Sequence, residues 1–470
     1  MLSRRALLAS AATVVGAGAA VAGGEFALQR TRDIEPAALP ATDPRGRLLW
    51  RNWSGNQFSY PAARAAPASA EQVATLLKSA SAPIRVVGAG HSFTALVPTD
   101  GTLVSLDGLS GIATQDDAAV LATIRSGTRL GPLGAALAGI GQEMLTLPDI
   151  NKQSLGGAIA TASHGSGATL QAIHGAIRSF RLVSVSGDVI EASADRNTDI
   201  FNAARVGLGA FGVITDITLQ NRRLTRVHKR TYVLPTRDAL AAWPTLKTQH
   251  RTCELLILPF ADMALVIVSD ASTDPVQPRG PDTDTDGLMQ LKALRDWLAV
   301  SPPLRRLLAR KAVQAAPPTD AVDDGWKLLS NERPVRFNEM EYHVPADAQV
   351  AAAAAVLEAI ERYRPDVFFP IEIRSIAADD AWLSPFYQRD SGSIAVHAYY
   401  KNDDAFLFSL IEPILQHHDG RPHWGKLNSW KGTDFAAAYP RWKDALAVRQ
   451  SLDPEGKLLN PYLRSVFLNG

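Results

Sequence analysis

The sequence predicts an α+β protein, and two observations support this class. The chain has 470 residues, 46% of them hydrophobic and 20% charged, which is enough to bury a large core in two or three domains. Short stretches with the apolar and polar alternation of strands are interspersed with stretches that carry helix start signals. The 48 lysines and arginines nearly balance the 47 aspartates and glutamates. This balance favours a small ligand over nucleic acid as the partner.

Short elements are predicted in the first half of the chain. A strand pair is expected between Trp50 and Tyr60, turning at Gly55, and a helix over 69–80 with Ser69 as its N-cap. The other expected elements are a buried strand from Ile84 to Val87, short strands within 101–126, a helix over 131–141, a helix over 199–206 and a strand over 213–219.

Longer elements are predicted after residue 226. They are strands over 228–236 and 253–269, a surface loop over 269–286, two helices within 288–313 broken at Pro302-Pro303, and strands over 337–344, 369–376 and 393–400. The second helix sets Arg305, Arg306, Arg310 and Lys311 opposite Leu304, Leu307 and Leu308. Such a basic amphipathic helix lies on a membrane surface or, more commonly, packs on its own domain. Cys253, the single cysteine, excludes an internal disulfide and predicts a buried thiol.

The first residues resemble a twin-arginine export signal. Arg4 and Arg5 precede small apolar residues that end in Ala20-Val21-Ala22, an A-x-A cleavage pattern. We therefore expect a signal over 1–24, a leader over 25–49, and a periplasmic or extracellular protein that is soluble or peripheral to the membrane. An uncleaved anchor is the alternative, but the apolar stretch is shorter than the roughly 20 residues of a membrane span. No later segment is long and apolar enough to cross a bilayer.

Two glycine-rich stretches are candidates for ligand binding. After the strand ending at Val87, Gly88 and Gly90 let successive backbone amides form a nest for an anion such as a diphosphate. An ordinary turn is the alternative. The small residues of 154–167 indicate that something flat or bulky lies against the backbone, or else a close contact between a helix and a sheet. Residues 207–212 match the dinucleotide fingerprint, but a helix precedes them and a strand follows, so they are no Rossmann turn.

Charged side chains gather near the end of the chain. Glu372 and Arg374 stand two residues apart on a predicted strand and so share a face, as a site pair or as a surface ion pair. His397 and Tyr399 share a face of the next strand. The loop over 421–426, Arg-Pro-His-Trp-Gly-Lys, combines cations, rings and a glycine.

Five motifs follow one another in a fixed order. They are Gly-x-Gly-His-Ser at 88–92, Ser-x-Gly-Gly-x-x-x-Thr-x-x-His-Gly-Ser-Gly at 154–167, Glu-x-Arg at 372–374, His-Trp-Gly-Lys at 423–426 and Leu-Asp-Pro-Glu-Gly-Lys at 452–457. In this combination the chain resembles the aldonolactone oxidoreductases of the vanillyl-alcohol-oxidase flavoprotein family. That family includes gulonolactone oxidase, arabinonolactone oxidase and alditol oxidase.

The resemblance implies a fold and a cofactor. It implies a two-subdomain PCMH-type FAD-binding domain over 50–226, an α+β cap (substrate) domain over 227–430, and a C-terminal segment over 431–470 that completes the FAD domain. His91 resembles the histidine that many members bond to the flavin 8α-methyl group, and 154–167 resembles the second FAD strand and turn. The implied FAD-binding residues are Val87, Gly88, Ala89, Gly90, His91, Ser92, Ser154, Gly157, Thr161, His164, Gly165, Ser166, Gly167, Val213 and Ile214.

The resemblance also implies a reaction. Glu372, Arg374, Lys426 and His397 match the residues on the substrate side of the flavin ring. Arg374 and Lys426 are cations that can stabilise the reduced ring, and Glu372 and His397 can orient hydroxyl groups and accept a proton. No metal is expected. The partners are a sugar lactone or polyol, and O2 or another electron acceptor.

The substrate remains open at this stage. Asp149, Glu339 and Tyr399 take the place of serine, glutamine and threonine in alditol oxidase, which favours a lactone of the gulono or arabinono type. Pro148 lies where members differ in oxygen reactivity and favours an oxidase producing H2O2. The alternatives are an alditol or carbohydrate oxidase, a dehydrogenase using a quinone or cytochrome, and a flavin-binding module without turnover.

Overall fold

The expected elements of the first half are present in a computed structural model that describes residues 33–281, 284–298 and 301–468. The predicted signal over 1–24 and the first part of the leader lie outside the described residues. The strands are β1 Trp50–Arg51, β2 Phe58–Ser59, β3 Ala63–Ala65, β4 Ile84–Val87, β5 Thr102–Ser105, β6 Ile112–Asp116, β7 Leu121–Arg125, β8 Gln142–Glu143, β9 Ile177–Val183, β10 Val189–Ser193, β11 Val213–Gln220 and β12 Arg222–Arg223. The helices are α1 Ala70–Ser79, α2 Leu130–Gly139, α3 Leu155–Ala160 and α4 Thr198–Ala204. Ser69 caps α1 as predicted, since its Oγ accepts from the Gln72 amide at 3.2 Å.

Longer strands dominate the second half. They are β13 Arg226–Pro235, β14 Thr252–Leu258, β15 Met263–Ser272, β16 Thr319–Asp324, β17 Phe337–Pro345, β18 Ile371–Ile376, β19 Ser391–Tyr399 and β20 Arg421–Pro422. The helices are α5 Thr236–Gln249, α6 Asp284–Leu298, α7 Pro302–Gln314, α8 Gly325–Leu328, α9 Gln349–Tyr363, α10 Glu412–His417, α11 Gly432–Ala438, α12 Trp442–Leu452 and α13 Pro461–Phe467. None of the helices in the described ranges has the length and apolar character of a membrane span.

The three larger of the five sheets in the described residues organise these elements into an α+β fold. A three-stranded parallel sheet has the order β3-β5-β4, and a five-stranded antiparallel sheet has the order β10-β9-β11-β7-β6. The largest sheet has eight strands in the order β16-β13-β15-β14-β18-β19-β17-β20. Its strands all fall between Arg226 and Pro422. The predicted fold class is confirmed.

The end of the chain returns to the first sheets. Side chains of α11, α12 and α13 share one hydrophobic core with β7, β9 and β11, whereas a second core lies against the largest sheet. Arg85 of β4 is buried, and its guanidinium donates to the carbonyls of Leu96 at 2.8 Å, Leu208 at 2.7 Å and Leu458 at 2.6 Å. Because these carbonyls come from distant parts of the sequence, Arg85 ties the last residues to the strand that precedes the first glycine loop.

Two predictions for the second half need correction. The single strand expected over 253–269 is two strands, because Phe260 and Asp262 adopt positive φ angles of 58° and 54° and turn the chain. The helix α7 departs from expectation at Arg305 and at its leucines, whereas Arg310 and Lys311 are exposed. Arg305 is buried, with its guanidinium donating to the carbonyls of Pro365 and Val367, while Leu304 and Leu307 are 36% and 48% exposed. Cys253 is buried, as predicted.

Candidate functional site

One cavity of about 2130 Å³ contains most of the predicted site residues. Its walls come from the glycine loop after β4, from α3 and the segment that follows it, and from one face of the largest sheet. An ordinary ligand pocket holds about 300 to 1,000 Å³. The cavity is therefore large enough for a dinucleotide cofactor together with a substrate.

The glycine loop fits a diphosphate. Within the described chain, the amides of Ala89, Gly90, His91 and Ser92 donate to no protein acceptor. Gly90 has a φ of 67°, a conformation that favours glycine. A Cβ on Gly88 would lie 2.3 Å from Ser154 Oγ. The two glycine-rich stretches can therefore lie this close together only because residue 88 is a glycine. Free amides on a tight turn are the donors that a phosphate group requires.

His91 is a neutral imidazole at the edge of this loop. Its ring stacks on Trp53 with a centroid distance of 5.2 Å. Burial, together with the charges of Lys426 and Arg129, lowers its pKa to about 4. At neutral pH His91 therefore has a ring nitrogen free to form a bond.

The predicted strand over 154–167 begins instead with a helix. Ser154 caps α3 through a hydrogen bond from the Gly157 amide at 3.3 Å. The small residues let this short helix lie beside Gly88. The strand that the resemblance implied is wrong for Leu155–Ala160, where the chain is helical. The predicted FAD-binding residues that line the cavity are Val87, Gly88, Ala89, Gly90, His91, Ser92, Ser154, Gly157, Thr161, His164, Val213 and Ile214.

Gly165, Ser166 and Gly167 do not line the cavity. They connect this region to the largest sheet: the Ser166 hydroxyl donates to the Cys253 carbonyl, and the Gly167 amide donates to the Ser375 carbonyl at 2.7 Å. A Cβ on Gly167 would lie 2.7 Å from the Arg251 carbonyl oxygen. Small residues are needed here for contact between protein segments.

Adjacent strands bring the predicted catalytic side chains onto one face. In the register of β18, β19 and β17, Glu372 and Glu341 both pair with Ala395, and Glu339 pairs with His397. Directly paired residues point to the same side of a sheet. The loop after β20, which pairs with β17, adds Lys426. The four predicted catalytic residues, Glu372, Arg374, His397 and Lys426, all line the cavity.

Arg374 and Glu372 form a buried ion pair. Burial lowers the pKa of Arg374, but Glu372, Glu341 and Glu254 outweigh it and hold the pKa well above its ordinary value. Burial raises the pKa of Glu254 to about 7, although Arg374 acts against this rise. The guanidinium is thus a permanent cation surrounded by acids.

Lys426, whose side chain is 21% exposed, forms a second ion pair, with the buried Glu339. His397 Nε2 lies 3.7 Å from the other oxygen of Glu339, and Glu341 Oε2 lies 3.8 Å from Lys426 Nζ. The lysine is held between two carboxylates, and these hold its ammonium group at one place on the cavity wall.

Glu341 and His423 were missed as site residues. Glu341 Oε1 lies 3.1 Å from His164 Nε2, and His423 Nδ1 accepts from the Gly425 amide at 3.0 Å. Burial raises the pKa of Glu341, but His164 and Lys426 hold it well below its ordinary value. The alternation Glu339-x-Glu341 on a strand was the signal that could have identified Glu341.

The three side chains His164, Glu341 and His423 place ligand atoms within 4.8 Å of one another, a spacing that a metal ion could use. Each is already engaged by the protein: His164 Nδ1 lies 2.8 Å from the Gly165 carbonyl, and Ser393 donates to Glu341. Because His423 Nδ1 accepts an amide hydrogen, its own proton sits on Nε2. The cluster is a hydrogen-bonded unit of the cavity wall.

The residues expected to set substrate preference divide into two groups. Asp149 and Glu339 line the cavity, whereas Tyr399 does not and packs against Phe368 with a centroid distance of 5.7 Å. The placement of Tyr399 beside the substrate was therefore wrong. Burial raises the pKa of Asp149, but Arg333 and Arg374 lower it to about 2. Arg333 Nε lies 3.0 Å from Asp149, and sequence reasoning missed this arginine.

The chain is similar to known protein families over most of its length. Residues 217–466 match the family described as D-arabinono-1,4-lactone oxidase, and residues 61–193 match the FAD binding domain family. The L-gulono-1,4-lactone dehydrogenase of Mycobacterium tuberculosis (strain H37Rv) is 33% identical over 89% of this chain and 99% of its own length. The alditol oxidase of a Streptomyces species is 27% identical over 88% of this chain and 98% of its own.

The chain is also similar to a further lactone oxidase and to a solved oxidase structure. The L-gulonolactone oxidase of Scyliorhinus torazame is 26% identical over 89% of this chain and 98% of its own length. Among solved structures, cholesterol oxidase from B. sterolicum superposes with a TM-score of 0.71 at 18% identity, covering 92% of this chain and 100% of that one. At this identity the structural likeness concerns the fold alone.

Proposed function

Because the chain belongs to the D-arabinono-1,4-lactone oxidase family and has an FAD-binding domain, we propose that it oxidises a secondary hydroxyl group of a sugar-acid 1,4-lactone by hydride transfer to flavin N5. The observation that carries this proposal is the sheet face on which Arg374 with Glu372 and Lys426 with Glu339 line the same cavity as the glycine loop. A protein that only bound flavin would have no use for two ion pairs with buried carboxylates in that position.

The residues of the chain have separate tasks in this reaction. FAD, held by the loop over 88–92 and by α3, supplies the hydride acceptor. Arg374 and Lys426 place fixed positive charge where negative charge develops, in a wall from which water is largely excluded. Glu372 and His397 orient the hydroxyl group and receive its proton. The carboxylates that line the cavity next to these cations hold the cations in place.

The charge of the cavity favours a neutral substrate. Around Arg374 and Lys426 the cavity is lined by the acids Asp149, Glu339, Glu341 and Glu372, against the cations Arg333, Arg374 and Lys426. An open-chain sugar acid would bring a further carboxylate into this surrounding, and like charges in a low-dielectric site repel strongly. A closed lactone of the L-gulono or D-arabinono type carries the same hydroxyl groups without that charge. Its ring oxygens and hydroxyls can use the arginines as donors.

A substrate panel tests the proposal. Flavin absorbance should be bleached anaerobically by L-gulono-1,4-lactone or D-arabinono-1,4-lactone, and at least about tenfold more slowly by the corresponding open acids, which must bring a repelled charge into the site. Alditols and aldoses are the further arms. Faster reduction by an alditol than by either lactone would favour the alditol oxidase alternative. No bleaching by any sugar would contradict the proposed reaction.

We propose O2 as an electron acceptor of the reduced enzyme, with H2O2 as its product. The support is Pro148, which lines the cavity and whose carbonyl accepts from the Ser330 hydroxyl at 2.7 Å. This hydrogen bond fixes the segment before Asp149. Rapid anaerobic reduction followed by negligible reoxidation in air would count against oxygen as an acceptor.

His91 is proposed to bond covalently to the flavin 8α-methyl group. Its low pKa leaves a nucleophilic nitrogen at neutral pH, and the ring lines the cavity beside the phosphate loop. Acid-denatured wild-type protein should therefore keep its yellow colour in the precipitate, and His91→Ala should release it to the supernatant. His417→Ala, at an exposed helix end, is the control and should behave as wild type. Free flavin from the denatured wild type would exclude the bond but not the phosphate loop.

The proposed location is outside the cytoplasmic membrane. The support is the twin-arginine pattern at Arg4 and Arg5, followed by an A-x-A site at 20–22. This export route suits a protein that binds its cofactor and folds before it is transported.

A further inference from the structure

The cavity continues beyond the charged site as an apolar arm. In the largest sheet, one row of directly paired residues runs from Glu341 through Ala395 and Glu372 to Leu256, Leu265 and Val233. Paired residues share a face, so the same surface is acidic at β17 and β18 and aliphatic at β14, β15 and β13. Leu256, Leu265 and Val233 line the same cavity as Glu372. We define the apolar arm as the part of the cavity between these three residues and the helices α6 and α7.

The two helices give the arm an apolar outer wall. Met289, Ala293 and Trp297 of α6 and Leu304, Leu308 and Ala312 of α7 line it. Four of the eleven exposed large hydrophobic side chains of the described residues lie on these helices, namely Met289, Trp297, Leu304 and Leu307. Such clustering on a globular protein marks a surface that binds something apolar.

The exposure of these leucines is imposed by the fold. Arg305 points inward, donates to the carbonyls of Pro365 and Val367, and places its guanidinium 4.3 Å from the centre of the Phe260 ring. Arg306 binds Asp262 at 2.6 Å and Glu361 at 2.9 Å. With both arginines fixed, α7 cannot rotate to bury Leu304 and Leu308 in the domain core. The arm is thus a lasting feature of the fold.

The arm does not suit a sugar lactone. A lactone is small and covered with hydroxyl groups, and the charged end of the cavity already offers the donors and acceptors that it needs. The arm offers aliphatic and aromatic side chains over the width of two helices. A ligand that uses it has a long hydrocarbon chain, together with a small neutral head that reaches the flavin end.

We propose that the apolar arm binds a quinone with a long hydrocarbon chain, which accepts electrons from the reduced flavin in competition with O2. In this step the quinone takes up two electrons from the reduced cofactor and two protons from the reduced cofactor and solvent, and leaves as the quinol, while the cofactor returns to its oxidised state. The proposal rests on the proposed function only in that a flavin is the electron donor. The chain lies along α6 and α7, and the uncharged ring lies at the boundary between Leu256 and Glu372.

The first test uses no sugar. The flavin of the holoenzyme is reduced anaerobically by light and a sacrificial donor, and its reoxidation is followed by absorbance with two quinones, one carrying a decyl chain and one with the same ring and no chain. Each buried methylene strengthens binding about fourfold. The decyl quinone should therefore show saturation at a concentration at least about a hundredfold lower. Equal concentration dependence for the two quinones would overturn the proposal.

The second test fills the arm. Ala293→Trp adds a large side chain to the exposed face of α6, where no core packing is disturbed. It should weaken binding of the decyl quinone at least about tenfold and leave the chainless quinone as in the wild type. Ala354→Trp, at an exposed position of α9 that does not line the cavity, is the matched control and should change neither. If Ala293→Trp binds the decyl quinone as tightly as the wild type does, the assignment of the hydrocarbon chain to this arm is refuted.

Equilibrium binding separates the two proposals. Titration of the oxidised holoenzyme with the decyl quinone, followed by tryptophan fluorescence, requires neither turnover nor a sugar. Saturable binding that Ala293→Trp weakens supports the arm even if every lactone fails to reduce the flavin. If lactones reduce the flavin but the quinone shows no saturable binding, the proposed function stands and the assignment of a quinone to the apolar arm is rejected.

Discussion

Replacing Lys426 by methionine should slow flavin reduction by the lactone by about a hundredfold or more while the flavin stays bound. The ammonium group is held on the cavity wall by Glu339 and faces Glu341 at 3.8 Å. Methionine keeps the length of the side chain and removes the charge that opposes the developing negative charge. Anaerobic stopped-flow absorbance measures the rate, and the flavin-to-protein absorbance ratio measures retention.

Two further variants isolate the role of this charge. Lys327→Met removes a lysine from a surface pair with Asp323 at 2.7 Å, outside the cavity, and should leave the rate unchanged. Lys426→Met also strands the buried Glu339 carboxylate, so Lys426→Met with Glu339→Gln removes that side effect. The double variant should stay slow. A return to the wild-type rate would mean that Lys426 acts only by neutralising Glu339, and a single variant as fast as wild type would remove Lys426 from the reaction.

Replacing Arg374 by methionine should lower the free energy of unfolding by about 3 to 5 kcal/mol and abolish flavin reduction by the lactone. The change strands Glu372 in a buried wall beside Glu341 and Glu254, whose carboxylates are the reason for the raised pKa of the arginine. Without the guanidinium, Glu254, with a pKa already at about 7, should be protonated at neutral pH. Urea unfolding followed by circular dichroism measures the stability.

A double variant separates the effect of Arg374 on stability from its effect on the reaction. Arg374→Met with Glu372→Gln removes both charges and should recover most of the lost stability, because a buried pair is replaced by neutral groups, yet it should remain inactive. Arg196→Met breaks an exposed pair with Glu191 and should change the unfolding free energy by less than about 0.5 kcal/mol. Wild-type stability in Arg374→Met alone would show that the wall tolerates an unpaired Glu372.

Among the sequence patterns, pairs of residues spaced two apart gave the most accurate predictions of the site. The alternation at Glu372 and Arg374 predicted a shared face, and the strand β18 has that face in the cavity. The glycine loop after Val87 was predicted as a nest, and its free amides fit that hypothesis. Both predictions depend on local backbone geometry, which sequence spacing determines directly.

Features that depend on distant partners were predicted less well. Small residues at 165–167 serve contact between a loop and the largest sheet, and the pattern alone could not distinguish this from contact with a cofactor. Tyr399 does not line the cavity, although His397 on the same strand does. The orientation of α7 is decided by carbonyls at Pro365 and Val367, about sixty residues along the chain. The pairing of Asp149 with Arg333 is likewise invisible in either segment.

The bonds around Arg85 also have a consequence for the order of events during synthesis. The strand before the glycine loop is joined to the end of the chain by Arg85 with Leu458, 373 residues apart, and by the Ile84 amide with the Lys457 carbonyl at 2.9 Å. Asn460 adds hydrogen bonds to the carbonyls of Ala95 and Pro98. A nascent chain on the ribosome lacks these partners until residues 457–460 emerge. The strand before the glycine loop therefore gains its full set of hydrogen bonds only late in synthesis, after the largest sheet has been translated.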